Sequence, residues 1–145
     1  MMSLDEIVEV FELLGDWDQR YQYIIELGEQ LPEMPDELKT EDNKVKGCMS
    51  QVWISPYPDN KDSNTWHFHG DCDTAIIKGV LALLIQLVAG KTVEQIHQLD
   101  VDEFFEKLQL DEHLSPNRHV GVYAIVELMK QQVSDAQRSS ALHIA

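Results

Sequence analysis

The reactive chemistry of this chain concentrates on two cysteines, and Cys48 has the more suggestive surroundings. It stands in Lys44-Val45-Lys46-Gly47-Cys48-Met49-Ser50-Gln51, at a break between two short alternating segments. Such a break predicts a loop. Gly47 lets the backbone turn tightly and lets another molecule approach the sulfur. Lys44 and Lys46 flank the cysteine closely in a strongly acidic chain. A cation beside a cysteine favours the thiolate, which is the nucleophilic form. These residues support a nucleophilic Cys48. The same position also suits a small buried hydrophobe, the commoner role of a free cysteine.

Cys72 lies in Gly70-Asp71-Cys72-Asp73, where a long apolar helix should begin. A helix N-terminus favours a thiolate and flanking carboxylates disfavour it, so local chemistry leaves the sign open. His67 and His69 share one face of a strand and, with Cys48 and Cys72, make a candidate zinc set. No Cys-x-x-Cys or His-x-x-x-His pair supports it, and alternating histidines on a strand read more simply as polar surface. No metal is expected. Hydrolase-triad, P-loop and dinucleotide signatures are absent. The acidic residues fall on caps and helix surfaces, not in a paired-carboxylate arrangement.

The elements that would position these groups follow from pattern. Ile7, Val8, Phe11 and Leu14 make one face of a helix over about Leu4 to Leu14, ended by Gly15. Asp16 and Gln19 open a second helix, with Trp17, Tyr21, Ile24, Ile25, Gly28 and Leu31 as its inner stripe. Pro32 and Pro35 end it and begin an acidic loop to about Asp42. Asn43 to Gly47, Gln51 to Ser55 and Thr65 to Gly70 read as short strands, with a turn-rich connection from Pro56 to Ser63.

A helix from about Asp73 to Ala89 is apolar nearly all round, which marks the centre of the core. Thr92 with Gln95 and Asp100 with Glu103 open two short helices. Ser115-Pro116 opens a last one, running to about Val133, before a polar tail over 134–145 expected to be flexible. The expected fold is α+β: a small two- or three-stranded antiparallel sheet packed against several helices.

Composition bounds the rest. The 145 residues predict a single domain. Eleven Lys and Arg against 26 Asp and Glu give a formal charge of −15. That argues against nucleic acid and anionic membranes as partners. The start, Met-Met-Ser-Leu-Asp-Glu, has no basic region of the kind that opens a secretory signal. The longest apolar stretch, Ile76 to Ala89, falls short of the roughly 20 residues a membrane helix needs. A reducing, cytoplasmic setting with free thiols is the expectation.

Gly47-Cys48-Met49-Ser50-Gln51-Val52-Trp53-Ile54 resembles the cysteine motif of the SufE family. Three further blocks resemble that family in the same order. Tyr23 to Gly28 with Leu31-Pro32 is the first. Gly70-Asp71, Asp73 and Ile76 to Gly79 form the second. His113 to Pro116, with Arg118 and Gly121, form the third. The continuation Ser50 to Ile54 is closer to SufE than to its paralogue CsdE, whereas Leu38-Lys39 and Gly90 to Thr92 lean toward CsdE.

The resemblance implies a SufE/IscU-like fold with no cofactor of its own. It also implies a sulfur acceptor that takes persulfide sulfur onto Cys48 from a pyridoxal-phosphate-dependent cysteine desulfurase, SufS-like or CsdA-like. The sulfur would then pass to an iron–sulfur scaffold. Arg118 and Asp73 become candidate partner contacts. Cys72, usually serine in the family, and Met49, usually polar, are departures. The rival reading is a metal-binding cluster scaffold using Cys48, Cys72 and a histidine.

Overall fold

Apolar side chains on almost every side of Ala75–Val88 leave no face of that helix (α3) that water could cover cheaply. The chain encloses it, burying Ile77, Val80, Leu81, Leu83, Leu84 and Val88. The structure, a computed structural model, describes the backbone of residues 3–144 and the side chains of residues 3–139. Before α3 come two helices, α1 (Leu4–Leu14) and α2 (Trp17–Glu29), a short 3-10 turn at Asp36–Leu38 and two strands, β1 (Val52–Pro58) and β2 (Thr65–Cys72). After it come β3 (Lys91–Thr92), α4 (Val93–His97), α5 (Val101–Leu108), α6 (Leu110–His113) and α7 (Pro116–Ile144).

Two glycines let α2 lie directly on α3. A Cβ on Gly28 would stand 2.7 Å from the amide nitrogen of Gly79, and one on Gly79 would run into the carbonyl of Ile24. On the other side, β2 alternates as its sequence requires. Trp66, Phe68, Gly70 and Cys72 point inward, and His67, His69 and Asp71 are half-exposed. A Cβ on Gly70 would meet Ile85 at 2.9 Å and Leu81 at 3.0 Å, so the missing side chain lets α3 settle on the strand. The sheet is antiparallel with order β1-β2-β3. β1 pairs with β2 from Val52 opposite Cys72 to Pro58 opposite Trp66, and β3 pairs with Thr65 and Trp66. The expected α+β class holds, with the three-stranded form of the sheet.

Three of the caps read from sequence, at Asp16, Thr92 and Asp100, are formed, the one at Thr92 as a full capping box. Thr92 and Gln95 exchange both of its bonds, and Asp16 and Asp100 accept from the amides of Gln19 and Glu103.

Several boundaries differ from expectation. β1 continues through Pro56 to Pro58, where a turn was expected. It is an edge strand over this length, and an edge strand tolerates proline because one side of it needs no donor. Asn43 to Gly47 forms only an isolated bridge, Lys44 opposite Trp53, because the left-handed turn at Gly47 (φ 85°) takes the chain out of the ladder. Cys72 ends β2 and does not sit in the first turn of α3, which begins two residues past Asp73.

α7 runs past Val133 to Ile144, and Ala145 lies outside the described residues. The polar segment contains neither glycine nor proline to stop the helix. Its first residue, Ser134, bonds His97 at 2.7 Å, and Arg138 pairs with Asp135 one turn earlier in the same helix at 2.8 Å.

Candidate functional site

Cys48 sits in a loop whose two ends are fixed by different means. On one side the Val45 amide donates to the Val52 carbonyl at 2.8 Å, and the Ile54 amide to that of Asn43 at 2.9 Å. Gly47 then turns left-handed and lifts the following residues away from the sheet. On the other side, the Gln51 amide donates to the Asp73 carboxylate at 3.0 Å, and the Asp73 amide to the Gln51 carbonyl at 3.1 Å. The Ser50 and Thr74 hydroxyls meet at 2.6 Å. Thr74 spends its proton on the Asp73 carboxylate at 3.2 Å, so Ser50 donates to Thr74. Asp73, expected as a partner contact, is thus a clamp on the cysteine loop in this structure.

The Cys48 side chain is half-buried, with its sulfur against the backbone of Gly121 in α7. A Cβ on Gly121 would lie 2.9 Å from that sulfur. The thiol opens onto a cavity of about 430 Å³ lined also by Ser50, Thr74, Ile77, Ser115, Asn117 and Arg118. Met49, 82% exposed, stands on its rim, and Val120, 57% exposed, precedes Gly121.

Two sources of positive potential converge on the cavity. Arg118 brings a guanidinium. α7 brings its N-terminus, where the Ser115 carbonyl accepts from the amides of Arg118 and His119 at 3.0 and 3.1 Å. α2 fixes where α7 starts: the Tyr21 hydroxyl donates to the His113 carbonyl at 2.6 Å, and the His113 ring stacks on Trp17 at 3.7 Å.

Lys44 and Lys46 lie elsewhere. Both line a neighbouring cavity of about 740 Å³ with Glu41, His97 and Lys130, and neither lines the cavity of Cys48. Lys46 is occupied by Glu41 at 2.7 Å, and that bond, with the Lys46 and Lys44 charges, holds the Glu41 carboxyl below its ordinary range.

The open question at Cys72 resolves upward. Burial raises its pKa from 9.0 to about 11; the Thr74 amide, 3.4 Å from the sulfur, opposes this, and Asp73, Cys48 and Asp71 reinforce it. The two cysteines are unbonded. Asp71 holds Lys39 at 2.8 Å, Lys78 at 3.3 Å and the Cys72 amide at 2.8 Å. Burial pushes its carboxyl up, but these three donors outweigh it and leave the group below its ordinary value.

The histidine set does not assemble. His67 bonds Asp59 at 2.6 Å, Tyr57 packs its ring against both His67 and His69, and both histidines face away from Cys72 across the strand. Among the described residues, no group of three His, Cys, Asp or Glu side chains is arranged to hold a metal ion. The scaffold reading built on Cys48, Cys72 and a histidine therefore lacks its ligand cluster.

Comparison with known proteins adds the decisive observation. The profile of the SufE family, described as an Fe-S metabolism associated domain, matches residues 5–133. The chain belongs to the SufE family. A SufE-like protein of Rhizobium etli is 40% identical over 133 residues, covering 91% of this chain and 90% of its own length. One of Rhizobium meliloti is 38% identical over 133 residues, covering 91% of this chain and 95% of its own. The solution structure of a hypothetical protein from Thermus thermophilus superposes with a TM-score of 0.75 at 19% identity, covering 94% of this chain and 99% of that one, which shows a shared fold.

The SufE resemblance read from the cysteine motif is therefore correct, and the domain is one associated with iron–sulfur metabolism. Among the described residues, no helix is long and apolar enough to cross a membrane. Local chemistry in the sequence missed the wall of the cavity: Thr74, Ile77, Asn117 and the role of Gly121. Only the blocks of the family resemblance, Asp73 with Ile76 to Gly79 and the one that carries Arg118 and Gly121, marked those parts of the chain.

Proposed function

We propose that this protein accepts sulfur onto Cys48 from a cysteine persulfide on a pyridoxal-phosphate-dependent desulfurase of SufS-like or CsdA-like type. It then delivers the sulfur to an iron–sulfur scaffold. The observation that carries this reading is a single thiol in a clamped loop, open to a cavity with Arg118 and the N-terminus of α7 beside it.

The Cys48 thiolate attacks the outer sulfur of the partner's persulfide. A new S–S bond forms on Cys48, the partner's S–S bond breaks, and the partner's thiolate leaves with the electron pair. The incoming persulfide sulfur meets the positive potential of Arg118 and of the N-terminus of α7, which line the cavity. No cofactor on this chain enters the exchange. A reducing cytoplasm suits it, because free thiols persist there.

Intact mass after incubation with a desulfurase and cysteine tests the proposal. The expected result is a gain of one sulfur atom that a thiol reductant removes and that Cys48→Ser abolishes. Undiminished acceptance by Cys48→Ser would overturn it. Full stimulation of the desulfurase by that variant, without a mass gain in the wild type, would make the chain a regulatory module instead.

A further inference from the structure

Resting on the sulfur-acceptor reading, we infer that Gly121 is the positioning residue of the reactive sulfur: its missing side chain is the seat in which the Cys48 sulfur lies against α7. A Cβ built on Gly121 would stand 2.9 Å from Sγ of Cys48, 3.7 Å from its Cβ and 4.0 Å from its Cα. The first distance is a collision and the other two are ordinary contact. The nearest atoms from outside the helix backbone and chain neighbours all belong to Cys48. A methyl group at this position therefore displaces the sulfur and nothing else.

Nothing in the backbone asks for glycine here. Gly121 has no left-handed φ, unlike Gly15, Gly47 and Gly90, and it lies inside a helix, where alanine is the better former. The close helix crossing that requires Gly28 and Gly79 lies elsewhere in the fold. What remains is the sulfur. Seated against α7, it is drawn back from the loop surface while exposed Met49 marks the outer rim. Turned out of the seat, it rotates about its Cα–Cβ bond to another staggered position. An outer persulfide sulfur adds about 2 Å beyond Sγ and extends from the seat into the cavity that Arg118 lines.

The test compares wild type with Gly121→Ala. Folded protein is labelled with iodoacetamide without desulfurase, and Cys48 modification is followed by mass spectrometry of its peptide. Labelling several-fold faster, with no loss of thermal stability, is expected. An unchanged rate in a folded variant would overturn the inference. If Gly121→Ala does not fold, Cys48→Ala is added: the seat requires that the double variant regain its fold, and a double variant that stays unfolded would overturn it. A folded variant is also loaded by desulfurase and cysteine, and its persulfide is expected to be stripped by cyanide several-fold faster than wild type. The labelling arm uses no partner, so its failure is distinct from failure of sulfur acceptance in the Cys48→Ser experiment.

Discussion

The hydroxyls of Ser50 and Thr74 meet 2.6 Å apart and join the cysteine loop to the entry of α3. With the paired bonds between Gln51 and Asp73, they make a second closure of the loop opposite the Val45–Val52 pair. Thr74→Val keeps the shape of the side chain and removes both of its hydroxyl bonds. A net hydrogen bond contributes about 1 kcal/mol, so the expected cost is about 1–2 kcal/mol of stability. Hydrogen exchange should accelerate in residues 47–51 more than in α3 itself. Exchange confined to its wild-type rate there would show that the Gln51–Asp73 bonds suffice for this second closure.

Arg118 and the two loop lysines separate cleanly by position. Arg118 lines the cavity of Cys48, whereas Lys44 and Lys46 line another and Lys46 is held by Glu41. Arg118→Gln should slow sulfur capture by about two- to fivefold, the scale of one partly screened charge. Lys44→Gln with Lys46→Gln should slow it less. Single-turnover transfer from a persulfide-loaded desulfurase measures both. A larger loss in the lysine variant would return the supporting role to those residues.

The difference between these two sets shows what the sequence could and could not reveal. Lys44 and Lys46 drew attention because they neighbour Cys48 along the chain. Arg118 and Gly121 reach it only because α7 packs against β1 and the cysteine loop, which no local pattern states. The inward alternation of Trp66 and Phe68, the stripe of Ile24 and Gly28, and the caps at Asp16, Thr92 and Asp100 were legible, because each is decided within a few residues. Pro56 and Pro58 concealed the length of β1, since proline reads as a turn unless the strand is known to lie at an edge. α6 was concealed by Gln109, a non-glycine residue in the left-handed region that ends α5 and lets Leu110 start a new turn.

Gly28 and Gly79 make the sharpest contrast with Gly121. At Gly28 the obstacle to a side chain is the amide nitrogen of Gly79, and at Gly79 it is the Ile24 carbonyl. Backbone cannot rotate aside as a thiol can. Overpacking a tight contact costs about 1–3 kcal/mol and sometimes more, so Gly28→Ala and Gly79→Ala should each lower stability by about 3 kcal/mol. Urea denaturation of the three alanine variants checks this. A Gly79→Ala protein as stable as wild type would mean that α2 and α3 are not in backbone contact.

Cys72 should be a spectator to sulfur transfer, and its burial explains why. A Cys72 thiolate could attack the inner sulfur of a Cys48 persulfide, forming a disulfide between the two cysteines and expelling hydrosulfide. The folded protein withholds that thiolate, because burial raises the Cys72 pKa from 9.0 to about 11. The unfolded chain releases the proton at lower pH than the folded chain does, so ionisation favours unfolding. Stability associated with Cys72 is therefore complete below pH 9 and is lost as pH rises through about 11. Relative to Cys72→Ser, wild type should lose stability only in that window, as measured by denaturation at stepped pH. In a Cys48→Ser protein, Cys72 should resist iodoacetamide at pH 8 until the chain is unfolded. Cys72→Ser should accept sulfur as fully as wild type does. Loss of acceptance in that variant, or hydrosulfide release with a Cys48–Cys72 disulfide from folded wild type, would make Cys72 a working part of the transfer.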